Sequence, residues 1–136
     1  MPLTDDDRRF LDGPRLGFLT VDPQGSWPTP VPVWFASGEQ SVELFTVATA
    51  RKARAVAAVP HASLVAANHI GEAEHWVAVV GPARIETDGA RELAARLADR
   101  YWDLSDPALA AVAEEWQSTD LVRIVIEADV VRRYGG

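Results

Sequence analysis

The sequence predicts a mainly β protein in which an antiparallel sheet closes into a small barrel with helices at its periphery. β-rich segments dominate the chain as far as Thr87, and short turns join most of them, as in hairpins. No strand is followed by a G-x-G-x-x-G loop and a helix, so a doubly wound nucleotide-binding fold is not expected. We expect residues 1–136 to form one domain, because this length suits a single hydrophobic core.

Composition excludes several classes of function. The chain has no cysteine, which rules out disulfides, thiolate metal sites and a cysteine nucleophile. Its 20 acidic and 13 basic residues give a net charge of −7, which is unfavourable for binding nucleic acid. No apolar run approaches the roughly 18 residues of a membrane-spanning helix. The acidic opening MPLTDDDRRF is not typical of a secretion signal. We therefore expect a cytoplasmic protein that binds neither nucleic acid nor a membrane.

The chain opens with a predicted short helix. Thr4 can cap this helix, and the aspartates at 5–7 favour the positive end of its dipole. Phe10 and Leu11 are expected to attach the helix to the core, and Gly13-Pro14 ends it.

Three predicted strands follow, joined by turns that indicate an antiparallel meander. They span residues 16–21, 27–35 and 42–47. The second strand carries Pro28, Pro30 and Pro32, which fall on one side of its pleat. Because proline has no N–H to donate, this strand is expected at a sheet edge, at a bulge, or against something other than another strand.

The rest of the chain is predicted to form three helices and three strands. The strands span residues 62–67, 75–86 and 121–126, and the first helix spans 49–59. A second helix, which Asp88 can cap, has an apolar stripe from Ala90 to Tyr101 at a spacing of 3.6 residues. A third helix opens at Ser105-Asp106-Pro107, and its face with Val112 and Trp116 is expected to be buried. A short tail follows the last strand.

The first turn of the helix at 49–59 carries the strongest functional signal. The only lysine, Lys52, stands in Arg51-Lys52-Ala53-Arg54, just after Thr49, the expected cap. Cations at this end oppose the helix dipole and cost about 0.3–1 kcal/mol each. A bound anion would offset this cost, since free N–H groups, a hydroxyl and cations together form a phosphate site. The alternative is a solvated basic face that pairs with acids such as Glu43.

No side-chain arrangement typical of a catalytic or metal site is present. His61, His69 and His75 form neither an HxH nor an HExxH pair, so we expect no metal site. No G-x-S-x-G elbow is present, and we assign no catalytic residue. Among the five tryptophans, Trp34 and Trp76 lie on strands near the expected phosphate site and are the better candidates for ligand contact.

Several segments in this order resemble the pyridoxamine 5′-phosphate oxidase-like superfamily. Val31-Pro32-Val33-Trp34-Phe35 is followed by Phe45-Thr46 and then by Arg51-Lys52, with the spacing aromatic-Thr-x3-small-Arg-Lys. The segments at 60–65 and 79–85 also look like strands of the family. The resemblance runs from about residue 8 to about residue 131.

The resemblance implies a split β-barrel of the type that binds flavin mononucleotide (FMN) or the deazaflavin coenzyme F420. The positions that match coenzyme contacts of the family are Val31, Pro32, Val33, Trp34, Phe45, Thr46, Arg51, Lys52 and Trp76. The basic pair matches the residues that hold the coenzyme phosphate, and the aromatic-threonine pair matches positions beside the ribityl chain and phosphate. The strand at 31–34 matches the strand whose backbone lines the isoalloxazine ring in the family. The resemblance also implies a homodimer, in which Trp76 reaches the coenzyme across the interface.

Two departures from the family pattern change what is expected of the phosphate site and of the activity. Ala50 stands where the family often has serine, so Thr49 is expected to supply the missing hydroxyl. The tail at 130–136 does not match the arginine-containing substrate motif of the oxidases that make pyridoxal phosphate, so that activity is not expected. The compact length resembles the shorter branch of the superfamily, which includes many F420-dependent enzymes.

The sequence therefore favours an FMN- or F420-dependent oxidoreductase that acts on a small organic substrate. One alternative is a barrel that binds flavin, haem or another anionic ligand without turnover, with haem ligated by one of the three histidines. Another is a structural dimer whose basic turn only forms ion pairs.

Overall fold

A computed structural model describes residues 2–136 as four helices and one eight-stranded antiparallel sheet. The helices are α1 (Asp5–Leu11), α2 (Arg51–Ala58), α3 (Ala90–Tyr101) and α4 (Pro107–Trp116). The strands are β1 (Gly17–Val21), β2 (Val31–Val33), β3 (Ala36–Ser37), β4 (Ser41–Val47), β5 (His61–Ala67), β6 (Trp76–Glu86), β7 (Leu121–Glu127) and β8 (Val130–Tyr134). Their order is β2-β1-β5-β6-β7-β4-β3, with β8 paired to β6. The predicted mainly β class is confirmed.

Strand β6 bends the sheet, because it changes partners along its length. Its residues 76–80 pair with β8, whereas its residues 83–86 pair with β7. Gly81 lies at the change, and a Cβ at this position would collide with the carbonyl oxygen of Glu127. Only glycine therefore allows the end of β7 to approach β6 this closely.

The core lies on the inner face of the curved sheet. Alternate residues of each strand point inward, as the period of two requires. The fully buried side chains include Leu19, Phe35, Val42, Leu44, Leu64, Val77, Val79, Ile124 and Ile126, with Leu3 and Leu11 from the N-terminal segment and Val56 from α2. Burial of these apolar side chains is the main source of stability, at roughly 25 cal/mol per Å².

The predicted meander is confirmed only for its first hairpin, in which β1 and β2 pair antiparallel, and its third strand does not pair with the second. β2 pairs only with β1, while β4 pairs with β3 and β7. Of the three prolines, only Pro32 lies within a strand, and β2 is an end strand of the sheet, as the missing N–H groups predict. After β2 the chain leaves this edge, and all seven residues of β4 pair with β7.

The predicted C-terminal tail is also wrong, since Val130–Tyr134 form β8. Val131 packs inward against the core. Arg133 donates from Nε to Asp7 Oδ1 at 3.0 Å and from Nη2 to Asp7 Oδ2 at 2.7 Å. Its Nη2 also donates to the carbonyl oxygen of Pro2 at 2.6 Å. The last strand is thus attached to the first helix.

The helix caps agree only in part with the prediction. Thr4 and Asp7 form a reciprocal capping box at the start of α1. Asp106, within the segment predicted to open the third predicted helix, is the N-cap of α4. Gly89, with a φ of +76°, rather than Asp88, occupies the N-cap position of α3.

The expected buried face of α4 is confirmed only in part, because Trp116 packs against Ala90, Ala94 and Leu121 whereas Val112 does not pack inward. No residue of this helix is fully buried in the described chain, and Val112 is exposed. The ring of Trp116 packs on the rings of Phe45 and Trp102. Helix α4 therefore packs on aromatic rings rather than on the main core.

Candidate functional site

A cleft of about 800 Å³ opens between α2 and the edge of the sheet formed by β1 and β2. One wall is apolar and consists of Leu19, Val21 and Val31, which point to the inner face of the sheet. The opposite wall is the first part of α2, with Arg51, Lys52, Arg54 and Ala55. The turn between β1 and β2 forms the rim with Asp22, Pro23, Gln24, Ser26, Trp27 and Thr29.

The N-terminus of α2 has no side-chain cap. Ala50 occupies the N-cap position, and the expected cap Thr49 is exposed and accepts no hydrogen bond from the helix, so that prediction is wrong. The first hydrogen bond within the helix runs from the N–H of Arg54 to the carbonyl oxygen of Ala50. The N–H groups of the first turn, which have no partner within a helix, therefore remain available to an anion.

The cations of this turn have no acidic partners. Among residues 2–136, none of Arg51, Lys52 and Arg54 forms an ion pair with a carboxylate. Glu43, the acid considered as a partner, is bound instead by Arg96 at 3.1 Å and Arg123 at 2.7 Å. Three cations thus share the cleft with one carboxylate, that of Asp22.

The structure brings only part of the predicted site to this cleft. Val31, Arg51 and Lys52 line it. Pro32 points to the outer face of the sheet beside Phe18, and Val33 is buried in the core.

Four other predicted site residues lie apart from the cleft within one chain. Trp34 stacks on Tyr101 of α3 with ring centres 5.0 Å apart. Phe45 packs edge-to-face on Trp116 of α4 at 5.1 Å. Thr46 is buried on the inner face of β4, while Trp76 stacks on Tyr134 of β8 at 6.4 Å.

Arg54 and Trp27 are among the cleft residues that were absent from the predicted site. Arg54 belongs to the basic turn, and its position one helical turn after Ala50 places it in the cleft. Trp27 lies on the rim with 87% of its surface exposed. The available sequence signal was a tryptophan directly before a proline in the turn between two strands.

A second cleft, of about 720 Å³, lies on the other side of the same turn. The two clefts share Val21, Asp22, Pro23 and Ser26. Polar groups of the second cleft include Thr20, Ser63, His61 and Asp129, and the lining contains no arginine or lysine. His61 Nε2 lies 3.9 Å from Asp22 Oδ2. The first cleft, beside α2, is therefore cationic, and the second cleft is acidic.

The remaining histidines have contacts away from the cationic cleft. His69 Nε2 lies 3.1 Å from the carbonyl oxygen of Pro14, and the ring of His75 stacks on Phe10 at 3.8 Å. Across the described part of the chain, no three carboxylate or imidazole groups are close enough to hold a metal ion. No helix in that part is long and apolar enough to cross a bilayer.

The outer face of the sheet carries an exposed apolar band. Phe18, Val65 and Ala78 lie side by side on β1, β5 and β6. Trp76 and Tyr134 continue the band along β6 and β8, and Tyr134 is about half exposed. Contiguous apolar surface of this kind marks interaction sites.

The curved eight-stranded sheet and its four peripheral helices have the architecture of a split β-barrel. Residues 3–133 match the family model for pyridoxamine 5′-phosphate oxidase, and the chain belongs to this family. A comparison with curated proteins found no relative of this chain.

Solved structures with low sequence identity share the fold. An F420 reductase superimposes with a TM-score of 0.76 at 20% identity, covering 96% of this chain and 98% of its own. A conserved hypothetical protein from Mycobacterium tuberculosis gives 0.73 at 18%, covering 97% and 84%. An FAD-binding protein from Mesorhizobium loti gives 0.64 at 21%, covering 96% and 94%. These likenesses confirm the predicted split β-barrel.

Proposed function

We propose that this protein is an FMN- or F420-dependent oxidoreductase that acts on a small organic substrate and holds the coenzyme phosphate at the N-terminus of α2. The observation that carries the proposal is the uncapped first turn of α2, whose unpaired cations line a cleft large enough for a coenzyme. When bound, the coenzyme supplies the hydride or electron chemistry, so no protein nucleophile is required.

Each group of the first turn has a distinct part in holding a phosphate. The backbone N–H groups donate along the helix axis, where the dipole favours negative charge. Arg51 can donate two parallel hydrogen bonds to phosphate oxygens, whereas Lys52 supplies a compact charge. Lys52 is half-buried, so its interaction with a phosphate is less screened by solvent than that of an exposed lysine.

The apolar wall has a separate role. Leu19 is buried and Val21 is half-buried, so this side of the cleft excludes water from a ring placed against it. Water exclusion strengthens the electrostatic interactions in the cleft and limits side reactions.

The proposal includes a homodimer that is formed by the apolar band on the outer face. A second copy is the occupant that we favour, because the band crosses four neighbouring strands. Its apolar side chains are interrupted on β8 by Arg132 beside Ala78. Trp76 lies on β6 roughly 16 Å along the strand from Gly81, at a rise of about 3.3 Å per residue. Gly81 pairs with Ala62 near the clefts, so Trp76 is remote from the cleft of its own chain. A dimer would allow it to contribute to the cleft of the partner.

The first experiment measures binding of each coenzyme separately. The purified protein is titrated with FMN and with F420, and the R51A/K52A double variant is compared with R9A/R91A, which removes the same charge from α1 and α3. We expect micromolar or tighter binding of one coenzyme, at least a hundredfold loss in R51A/K52A and less than a twofold change in the control. Failure of the unaltered protein to bind either coenzyme would contradict the proposal, as would unchanged affinity in R51A/K52A.

A second experiment separates an enzyme from a binding protein. The protein with reduced coenzyme is mixed with a panel of quinones and enones, and oxidation of the coenzyme is followed by absorbance. Substrate-dependent oxidation above the rate of free coenzyme supports the oxidoreductase. Tight binding without such oxidation across the panel would favour the alternative of a non-catalytic barrel.

A further inference from the structure

Trp27 differs from the other four tryptophans in its surroundings. Trp34, Trp102 and Trp116 contact one another, and Trp76 stacks on Tyr134. Trp27 is 87% exposed, and within residues 2–136 it stacks on no aromatic ring. An indole left in water forfeits most of the free energy that its burial would contribute.

The backbone holds this indole at the mouth of the cationic cleft. Trp27 precedes Pro28, and Thr29 precedes Pro30, so both residues are restricted to extended conformations. The tight turn before them contains Gln24 and Gly25, with φ values of +48° and +88°. A segment that is restricted in this way loses less conformational entropy when a ligand binds.

The cleft has two chemically different sides. Arg51, Lys52 and Arg54 provide positive charge on α2, while Trp27 and Val31 provide aromatic and apolar surface on the opposite side. A simple phosphate would satisfy the cations and leave the indole in water. A phosphate ester that also carries a planar ring would satisfy both sides, because offset stacking of aromatic rings contributes beyond the area buried.

We propose that Trp27 stacks on the aromatic ring of the bound coenzyme and makes the cleft selective for ring-bearing phosphate esters over simple ones. This inference rests on the proposed function and assigns a specificity-determining role to a residue outside the basic turn. The same indole also shields one face of the ring from solvent.

The test compares ligands with and without a ring. W27A, W27F and the unaltered protein are titrated with whichever of FMN and F420 binds, and with ribose 5-phosphate. Ile70→Ala is the matched control, because Ile70 is fully exposed and does not line the cleft. We expect W27A to bind the coenzyme at least tenfold more weakly and ribose 5-phosphate within twofold of the unaltered protein, while W27F retains coenzyme affinity within threefold.

Coenzyme fluorescence gives a second readout that does not depend on activity. Stacking on an indole quenches the emission of the ring, so bound coenzyme should be brighter in W27A than in I70A or the unaltered protein. Because Trp27 is exposed, W27A should keep its thermal midpoint within about 1 °C.

The outcomes distinguish this inference from the proposed function. Equal coenzyme affinity and equal quenching in W27A would overturn the role of Trp27 and leave the coenzyme assignment intact. Absence of coenzyme binding by the unaltered protein would overturn both. A W27A protein that is monomeric where the unaltered protein is dimeric would assign Trp27 to a subunit interface and overturn the stacking role.

Discussion

Asp7 of the first helix and Arg133 of the last strand form a two-point ion pair, with N–O distances of 3.0 and 2.7 Å. The carboxylate is almost completely buried, with 3% of the residue exposed. It also accepts the N–H of Thr4 at 2.9 Å, so the same side chain completes the cap of α1. The two ends of the described chain are therefore connected through one carboxylate.

Removal of the Arg133 guanidinium alone should destabilise the protein more than removal of the charges of both Arg133 and Asp7. Arg133→Ala leaves a buried carboxylate without its cation, and we expect a loss of about 2–3 kcal/mol in the free energy of unfolding. D7N/R133A should lose less than the sum of the single variants, because the uncompensated charge is gone. Urea unfolding of the unaltered protein, D7N, R133A and D7N/R133A measures the coupling between the two side chains. Strictly additive losses in the free energy of unfolding would argue against a stabilising pair.

The Asp7 carboxylate should also make stability depend on pH. Burial by itself would raise its pKa, but hydrogen bonds from Arg133 and Thr4 and the charge of Arg133 hold the pKa below the usual 3.8. A lowered pKa in the folded state contributes stability above the unfolded value, and this contribution is lost as the pH falls through the folded value. The unfolding free energy of the unaltered protein should therefore fall more steeply below about pH 4 than that of D7N. Parallel curves for the two proteins would contradict the assignment.

Gly81→Ala should be strongly destabilising. The added methyl group meets the carbonyl oxygen of Glu127, which is backbone and cannot rotate away. We expect a loss of about 3 kcal/mol, since β6 and β7 must separate where the sheet bends. Gly13→Ala is the control, because its Cβ has only ordinary contacts and its φ is not positive. Chemical unfolding measures both variants, and equal stability would show that the bend tolerates a side chain.

A charge in the apolar band should separate the proposed dimer. Phe18→Asp places a carboxylate at the β1 end of the band, and we expect the dissociation constant to rise at least a hundredfold. Val112→Asp is the control, because Val112 is exposed to a similar extent on α4, away from the band. Light scattering after size-exclusion chromatography measures the mass of each variant. A dimeric F18D would place the interface elsewhere.

Phe18→Asp also tests whether the clefts depend on the partner. If Trp76 reaches the coenzyme across the interface, monomeric F18D should bind FMN or F420 at least tenfold more weakly than V112D. Unchanged affinity in a monomer would show that one chain holds the coenzyme alone. Neither result bears on the role of the α2 cations, which the separate R51A/K52A comparison tests.

Several elements could be predicted because their signals are local. The capping box of α1 depends on Thr4 and Asp7, which are three residues apart, and the stripe from Ala90 to Tyr101 repeats within one helix. The basic turn of α2 was visible for the same reason, since its charges are neighbours in the chain. Patterns of this length report the period of a helix or strand directly.

Pairing and exposure could not be predicted in the same way. The choice of β7 as the partner of β4, and of β6 as the partner of β8, joins segments that are distant in the chain. Trp34 and Trp27 are both tryptophans in one β-rich segment, but α3 and α4 cover only the first of them. The exposure of each tryptophan cannot be predicted from its neighbours in the chain, because it depends on which remote element packs against the ring.

Local residue order thus accounts for the β-rich class, the helix that bears the cations and the charge of its first turn. The three-dimensional arrangement added the register of the sheet, the cleft between α2 and β1, and the position of Trp27 opposite Arg51 and Lys52. The physical reason is that propensity and charge act between neighbours in the chain, whereas a cleft exists only where separate elements pack and leave space between them.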